Sequence, residues 1–148
     1  MATCRPSRRP ICRPVSAGNN LGLKVLVGRF RKVHAIGLRE ELEFFRKLPS
    51  IVLVIHHVAM ATDSCDRCFD HQSRILRVAR PKAKAILPAY IAKLNACKSF
   101  EALHSQLRQV LSPVRGLGEL YIYDAALRLG VYLRLAPNLI YLFTPAPA

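Results

Sequence analysis

Residues 112–130, SPVRGLGELYIYDAALRLG, contain a proline, two glycines one residue apart, and then a long helical pattern of apolar side chains. Gly116 and Gly118 allow a tight turn, and they lack the Cβ atoms that would keep another backbone away. A helix is predicted to begin directly after the turn, where its first amides have no intrahelical partner and the helix dipole favours negative charge. With Arg115 beside it, the turn is a candidate anion site. The alternative is a turn that only joins two packed helices, with Arg115 solvated.

Periodic apolar residues predict helices on both sides of this turn. Ser99 can cap a helix over residues 100–111, and the pattern after the turn continues to about Leu135. Upstream, apolar residues spaced three or four apart predict an amphipathic helix from Leu38 to Leu48, which Pro49 ends. Ser50 can cap the next apolar run, residues 51–61, which is either a buried helix or, because it begins with β-branched residues, a strand.

The remaining segments complete a mainly α-helical bundle of about five helices. Residues 62–73 are polar and predict a loop, and residues 74–97 predict a helical zone that breaks near Pro81 and kinks near Pro88. Alternating apolar residues between 23 and 27 allow a strand or short β-hairpin near the N-terminus. We therefore expect a basic flexible arm over residues 1–20, one helical domain over 21–143 and a disordered tail over 144–148.

Positive charge is the strongest feature of the composition. The 148 residues include 23 Lys and Arg against 9 Asp and Glu, a formal net charge of +14, while hydrophobic residues make up 51%. The first 39 residues contain nine basic residues and no acid, and residues 74–98 contain seven more basic residues, again without an acid. Such an excess in a chain that can form a core predicts a polyanionic partner, most often nucleic acid.

The cysteines and the N-terminus bear on location. Five cysteines form an odd set without the spacing of a disulfide scaffold, and the N-terminus lacks the apolar core of a secretory leader. These features predict a reducing cytoplasm, and the apolar runs are too short or too charged to predict a membrane span. An arginine-rich, acid-free N-terminus is also typical of an organelle transit peptide.

The polar loop contains one candidate metal site. Cys65, Cys68 and His71 follow a Cys-x-x-Cys-x-x-His pattern, and His56 and His57 lie upstream. Thiolates and imidazoles of this number can bind zinc tetrahedrally, although structural zinc sites usually contain two paired knuckles and this loop has one. Zinc is therefore the candidate cofactor. The alternatives are a loop without metal and a thioredoxin-like redox pair, although no βαβ pattern surrounds these cysteines.

The segment from Phe100 to Leu135 resembles the helix-hairpin-helix motif of DNA-repair proteins. In that motif hydrophobic-x-Gly-hydrophobic-Gly joins two helices, and the turn amides bind a DNA phosphate. Residues 114–118, VRGLG, match this core. The wider stretch GLGELYIYDAALRLGVYLRLAP also resembles uncharacterised bacterial proteins related to the helical fold of DNA glycosylases.

The resemblance implies binding rather than catalysis. Glycosylases with lyase activity have a lysine two residues after the second glycine and an aspartate about eighteen residues further, and this chain has Leu120 and Asn138 at those positions. Without the amine nucleophile and its carboxylate, base excision lacks its reacting groups. Asp124 is a candidate base, but it can equally act as a cap or pair with Arg128 four residues on.

The sequence thus predicts a non-enzymatic protein that binds nucleic acid, in particular DNA, through phosphate contacts. The glycine turn and a basic face on the zone after the loop are the predicted binding residues: Arg115, Gly116, Leu117, Gly118, Arg74, Arg77, Arg80, Lys82 and Lys84. The alternative is a small interaction protein, such as a phage or plasmid-type inhibitor, whose basic faces dock on an acidic or nucleic-acid-handling protein partner.

Overall fold

The computed structural model describes residues 23–33 and 35–139, and these residues form α-helices joined by turns. The helices are α1 (Leu23–Val33), α2 (Ala35–Arg46), α3 (Ile51–Met60), α4 (Ala79–Ile86), α5 (Ile91–Asn95), α6 (Phe100–Leu111) and α7 (Glu119–Leu133). Two 3₁₀ turns lie at Asp70–Gln72 and Leu87–Tyr90. The predicted mainly α-helical fold is confirmed. The predicted arm and tail lie outside the described residues.

Side-chain capping sets the starts of α3 and α6. Ser50 Oγ accepts a hydrogen bond from the Leu53 amide at 3.4 Å, and Ser99 Oγ accepts one from the Ala102 amide at 3.1 Å. Both serines have extended backbone dihedrals, as N-cap residues do. The two predicted caps are therefore confirmed.

Helix α7 lies at the centre of the bundle, in contact with α2, α3 and α6. Its buried face includes Ile122, Ala125 and Leu129, which belong to the same core as residues of the three surrounding helices. The core residues contributed by those helices include Phe45, Val54, Val58, Leu103, Leu107 and Leu111. Burial of these aliphatic and aromatic side chains provides the main favourable free energy of folding.

Two strand alternatives are wrong. Residues 23–33 form α1 instead of a strand or hairpin, and residues 51–60 form α3. The described residues contain no strand, only an isolated bridge between Thr62 and Cys68. A lone strand leaves its backbone groups unpaired, whereas a helix satisfies them locally. This difference outweighs the weak β preference of the valines and isoleucines.

The prolines act as predicted near α4 and α5, with one shift. Helix α4 begins at Ala79 rather than Arg74, and Pro81 lies in its first turn, where the missing N–H has no helical partner in any case. Pro88 lies in the 3₁₀ turn between α4 and α5, so the predicted kink is confirmed. Among the described residues, no helix is both long and apolar enough to cross a membrane.

Candidate functional site

The glycine turn between α6 and α7 is held by two buried side chains. Val114 and Leu117 are each 7% exposed. The Val114 amide donates to the Leu111 carbonyl at 2.9 Å, and the Leu117 amide donates to the Val114 carbonyl at 3.1 Å. Leu117, predicted as a binding residue, therefore anchors the turn from inside, and its amide is already used.

Gly116 is required by the fold itself. Its φ is +96°, in the region that favours glycine. A Cβ built on Gly116 would lie 2.8 Å from Cδ1 of Leu76, so the Leu76 side chain occupies the space that a larger residue would need. The turn that contains Arg74 and Arg77 consequently packs directly against the glycine turn.

Gly118 differs from Gly116, because the fold leaves space around it. It is the N-cap of α7, with φ −95° and ψ 173°, and a Cβ built there would have no atom within 4 Å. Arg115 and Gly118 are both exposed. The space in the Cβ direction of Gly118 is therefore open, and the first amides of α7 have no intrahelical acceptor.

One carboxylate lies beside these amides. Glu119 is the first residue of α7, and its Oε1 accepts a hydrogen bond from Arg108 Nε on α6 at 3.0 Å. This exposed pair joins the two helices across the turn and neutralises the carboxylate charge locally. A carboxylate and the cation that pairs with it therefore both lie at the amide end of α7.

Tyr121 connects the first turn of α7 to α3. Its side chain is 3% exposed, and its hydroxyl donates to the Ala59 carbonyl at 2.7 Å, near the end of α3. Burial raises the pKa of the Tyr121 phenol. The start of α7 is therefore tied to α3 as well as to α6.

Four of the five cations predicted to bind after the polar loop are exposed. Arg74 and Arg77 are exposed in the turns before α4, and Lys82 and Lys84 are exposed on α4. Arg80 is the exception, because its Nη1 donates to the Met60 carbonyl at 3.4 Å and its Nε is buried. A cation at the C-terminal end of α3 complements the helix dipole, so Arg80 turns inward and leaves the predicted face.

The predicted zinc ligands are not brought together. Among residues 23–33 and 35–139, no three His, Cys, Asp or Glu side chains are arranged to hold a metal ion. Cys68 is a free thiol whose Sγ donates to the Phe69 carbonyl at 3.4 Å, and His71 instead contacts Asp124 on α7. Cys65, Cys68 and His71, the predicted zinc ligands, are therefore not assembled into a metal site among the described residues.

His56 and His57 lie at the end of α3, beside the polar loop. His57 Nδ1 lies 3.0 Å from Thr62 Oγ1 and 3.7 Å from Asp66 Oδ1, and His56 Nε2 lies 4.0 Å from the same Asp66 oxygen. Burial lowers the pKa of His57. This group holds the loop against α3.

A polar cluster joins the loop to α7. Asp124 is 16% exposed in its side chain, and its Oδ2 accepts hydrogen bonds from His71 Nε2 at 2.9 Å and from Gln72 Nε2. Because the carboxylate can only accept, the His71 ring carries its proton on Nε2. The predicted i, i+4 pairing of Asp124 with Arg128 is wrong, since both residues bind groups on other elements.

Arg128 forms the buried half of this cluster. It is 2% exposed, its Nε donates to Glu41 Oε1 at 2.8 Å, and its Nη1 donates to Gln72 Oε1 at 3.2 Å. The guanidinium carbon lies 4.1 Å from the centre of the Phe69 ring. A planar cation that donates along its edge and stacks on its face is well suited to a buried position.

Sequence reasoning missed this cluster of Glu41, His71, Gln72, Asp124 and Arg128 as a unit. One signal was present. Arg128 lies seven residues after Tyr121 and three after Ala125, on the stripe of α7 that faces the core. A charged residue on a buried face needs a polar partner. The helical period does not predict that this partner is Glu41, which lies 87 positions earlier in the chain.

Comparison with protein-family models, with curated proteins and with solved structures finds no match for this chain.

Proposed function

We propose that this protein binds nucleic acid, DNA in particular, through the phosphate backbone. The contact between Leu76 and Gly116 carries the proposal, because it joins two segments of the chain that are each suited to anions. One segment offers Arg115 and the open first turn of α7 after Gly118. The other offers Arg74 and Arg77, and the exposed lysines of α4 extend it.

The cations of this surface are available for an external anion. Arg74, Arg77, Lys82, Lys84 and Arg115 are exposed, and the ion pairs formed among the described residues include none of them. By contrast, Arg67 and Arg108 are neutralised by Asp63 and Glu119. When unpaired Lys and Arg side chains neutralise phosphates, the counterions condensed on the nucleic acid are released, and this release favours binding.

Gly118 supports a backbone contact rather than base recognition. Its open side lets a phosphate approach the amides at the start of α7, and Arg115 can bind the same phosphate through its guanidinium. Phosphate contacts position a protein without reading sequence. The activity we propose is therefore binding with little sequence preference and strong dependence on salt.

A protein partner is the second candidate, and one observation favours it. Leu76, Val78 and Leu120 are 51%, 62% and 50% exposed, so aliphatic surface accompanies the positive charge. Mixed apolar and basic surface suits an acidic protein that imitates nucleic acid. If an acidic protein is the partner, this protein should bind it more tightly than it binds bare DNA or RNA.

Fluorescence anisotropy with a labelled 20-base-pair duplex and with a single-stranded RNA, each titrated at several salt concentrations, tests the proposal. We expect log K to fall linearly with log salt, with a slope of about −0.9 for each phosphate contacted on duplex DNA. The double variant Arg77→Gln, Arg115→Gln should reduce this slope. Its control, Lys98→Gln, Arg134→Gln, removes the same formal charge from two exposed residues outside this surface.

Equal weakening by the two double variants would show that net charge alone drives the binding. Absence of binding to either nucleic acid at low salt would exclude the proposal and favour the protein partner.

A further inference from the structure

Asp124 lies behind the proposed interface, on the central helix α7. Its carboxylate accepts hydrogen bonds from His71 and Gln72, which are 53 and 52 residues earlier in the chain. Both donors belong to the 3₁₀ turn Asp70–Gln72, directly before the basic turn of residues 73–78. Asp124 thus binds the base of the segment that carries Arg74 and Arg77.

Successive backbone hydrogen bonds connect this anchor to the basic turn. The Ser73 amide donates to the Asp70 carbonyl at 3.1 Å, the Ile75 amide to the Gln72 carbonyl at 3.2 Å, and the Ala79 amide to the Leu76 carbonyl at 2.9 Å. The segment is therefore a series of tight turns and not a free loop. Gln72 fixes the position of this segment at one end, and α4 fixes it at the other.

Gln72 is held from two directions. Its side chain is 2% exposed, with the amide nitrogen donating to Asp124 and the amide oxygen accepting from Arg128. Asp124 and Arg128 are one helical turn apart on α7, the helix that begins at the glycine turn. The same rigid element therefore carries the glycine turn and fixes the basic turn against it.

We propose that Asp124 is a positioning residue for nucleic-acid binding, one that strengthens the binding of a polyanion although its own negative charge opposes it. The inference rests on the proposed function. Its physical basis is preorganisation. If Arg74 and Arg77 are already held near Arg115 before binding, less conformational entropy is lost when the nucleic acid binds.

The two effects of Asp124 have opposite signs, so one substitution separates them. Asp124→Ala raises the formal net charge from +14 to +15, and charge alone then predicts tighter binding. Positioning predicts binding to the duplex that is weaker by roughly threefold to tenfold, as when one or two of several phosphate contacts are lost. Glu40→Ala is the matched control, because it removes one exposed carboxylate from α2 and should tighten binding slightly.

The salt dependence distinguishes positioning from partial unfolding. A smaller folded fraction lowers the apparent affinity but leaves the slope of log K against log salt unchanged, whereas a misplaced arginine reduces the slope by about 0.9 per lost contact. Asp124→Asn retains an acceptor oxygen for Gln72 and should restore most of the affinity. His71→Ala, a change at a half-exposed side chain, provides the same test with less risk to folding, and it should also weaken binding.

The result that overturns the inference is tighter binding by Asp124→Ala, matching Glu40→Ala, or weaker binding with an unchanged salt slope. In either case the wild type still binds, so the proposed function survives. If the wild type shows no salt-dependent binding, the proposed function fails and the inference fails with it.

Discussion

Arg128 Nε and Glu41 Oε1 are 2.8 Å apart, and they join α7 to α2 in a position where the arginine is 2% exposed. Removing one member of a buried ion pair leaves the other charge without compensation. We expect Arg128→Ala to lower the free energy of unfolding by about 3 to 5 kcal/mol, measured by urea denaturation.

The exposed pair of Arg46 and Glu43 provides the control. Their side chains are 62% and 38% exposed, so solvent screens the interaction. Arg46→Ala should change the free energy of unfolding by less than about 1 kcal/mol. Equal losses for the two arginine variants would mean that burial of Arg128 contributes little.

Two glycines inside helices should respond in opposite ways to alanine. A Cβ on Gly130 would lie 2.9 Å from the Leu135 carbonyl oxygen and 3.3 Å from Phe100 Cδ2, whereas a Cβ on Gly37 would meet no atom within 4 Å. Gly130→Ala should destabilise the protein by about 1 to 3 kcal/mol. Gly37→Ala should stabilise it by about 0.5 to 1 kcal/mol, because alanine favours the helix.

Thermal unfolding followed by circular dichroism measures both glycine variants. A rise in Tm for Gly130→Ala would contradict the close packing of α7 against the residues that follow it.

Two histidines predict the pH dependence of stability. Burial lowers the pKa of His57 and of His104 from their usual value of 6.5. The unfolded chain therefore binds protons at a higher pH than the folded chain does. The free energy of unfolding is therefore highest above about pH 6.5, where both histidines are neutral in the folded and the unfolded chain. It falls as the pH drops below this value, because the unfolded chain then binds protons that the folded chain does not.

The free energy of unfolding should consequently be lower at pH 5.5 than at pH 7.5, with part of the difference absent in His57→Gln and His104→Gln. His56, whose side chain is 37% exposed, serves as the control when it is replaced in the same way. A pH dependence that persists unchanged in both buried-histidine variants would refute the assignment.

Local signals predicted the helices from α2 onward. Ser50 and Ser99 as N-caps and the apolar stripe of residues 100–111 are each readable over a few residues, and each is confirmed. The helix predicted over residues 38–48 is also present, but α2 begins at Ala35 and ends at Arg46, three residues before Pro49. The N-terminal strand was wrong because alternation over five residues is a short signal. A strand also requires a partner that the sequence does not name.

The candidate site was less predictable, because it depends on contacts between distant segments. The sequence predicts that Arg80 is one of several exposed cations, whereas its guanidinium donates to the Met60 carbonyl at the end of α3. His71 reads as a metal ligand by its spacing from Cys65 and Cys68, yet Asp124 binds it from α7. Spacing predicts which residues share a loop, whereas packing decides which of them meet.

The most direct test of the central claim is the affinity of Gly118→Leu for duplex DNA at low salt, compared with that of Gly37→Leu. Both positions have space for a side chain, so both variants should fold. We expect Gly118→Leu to bind about tenfold more weakly, equivalent to one charge-assisted hydrogen bond of about 1.5 kcal/mol, and Gly37→Leu to bind like the wild type. Unchanged binding by folded Gly118→Leu would contradict phosphate binding at the start of α7.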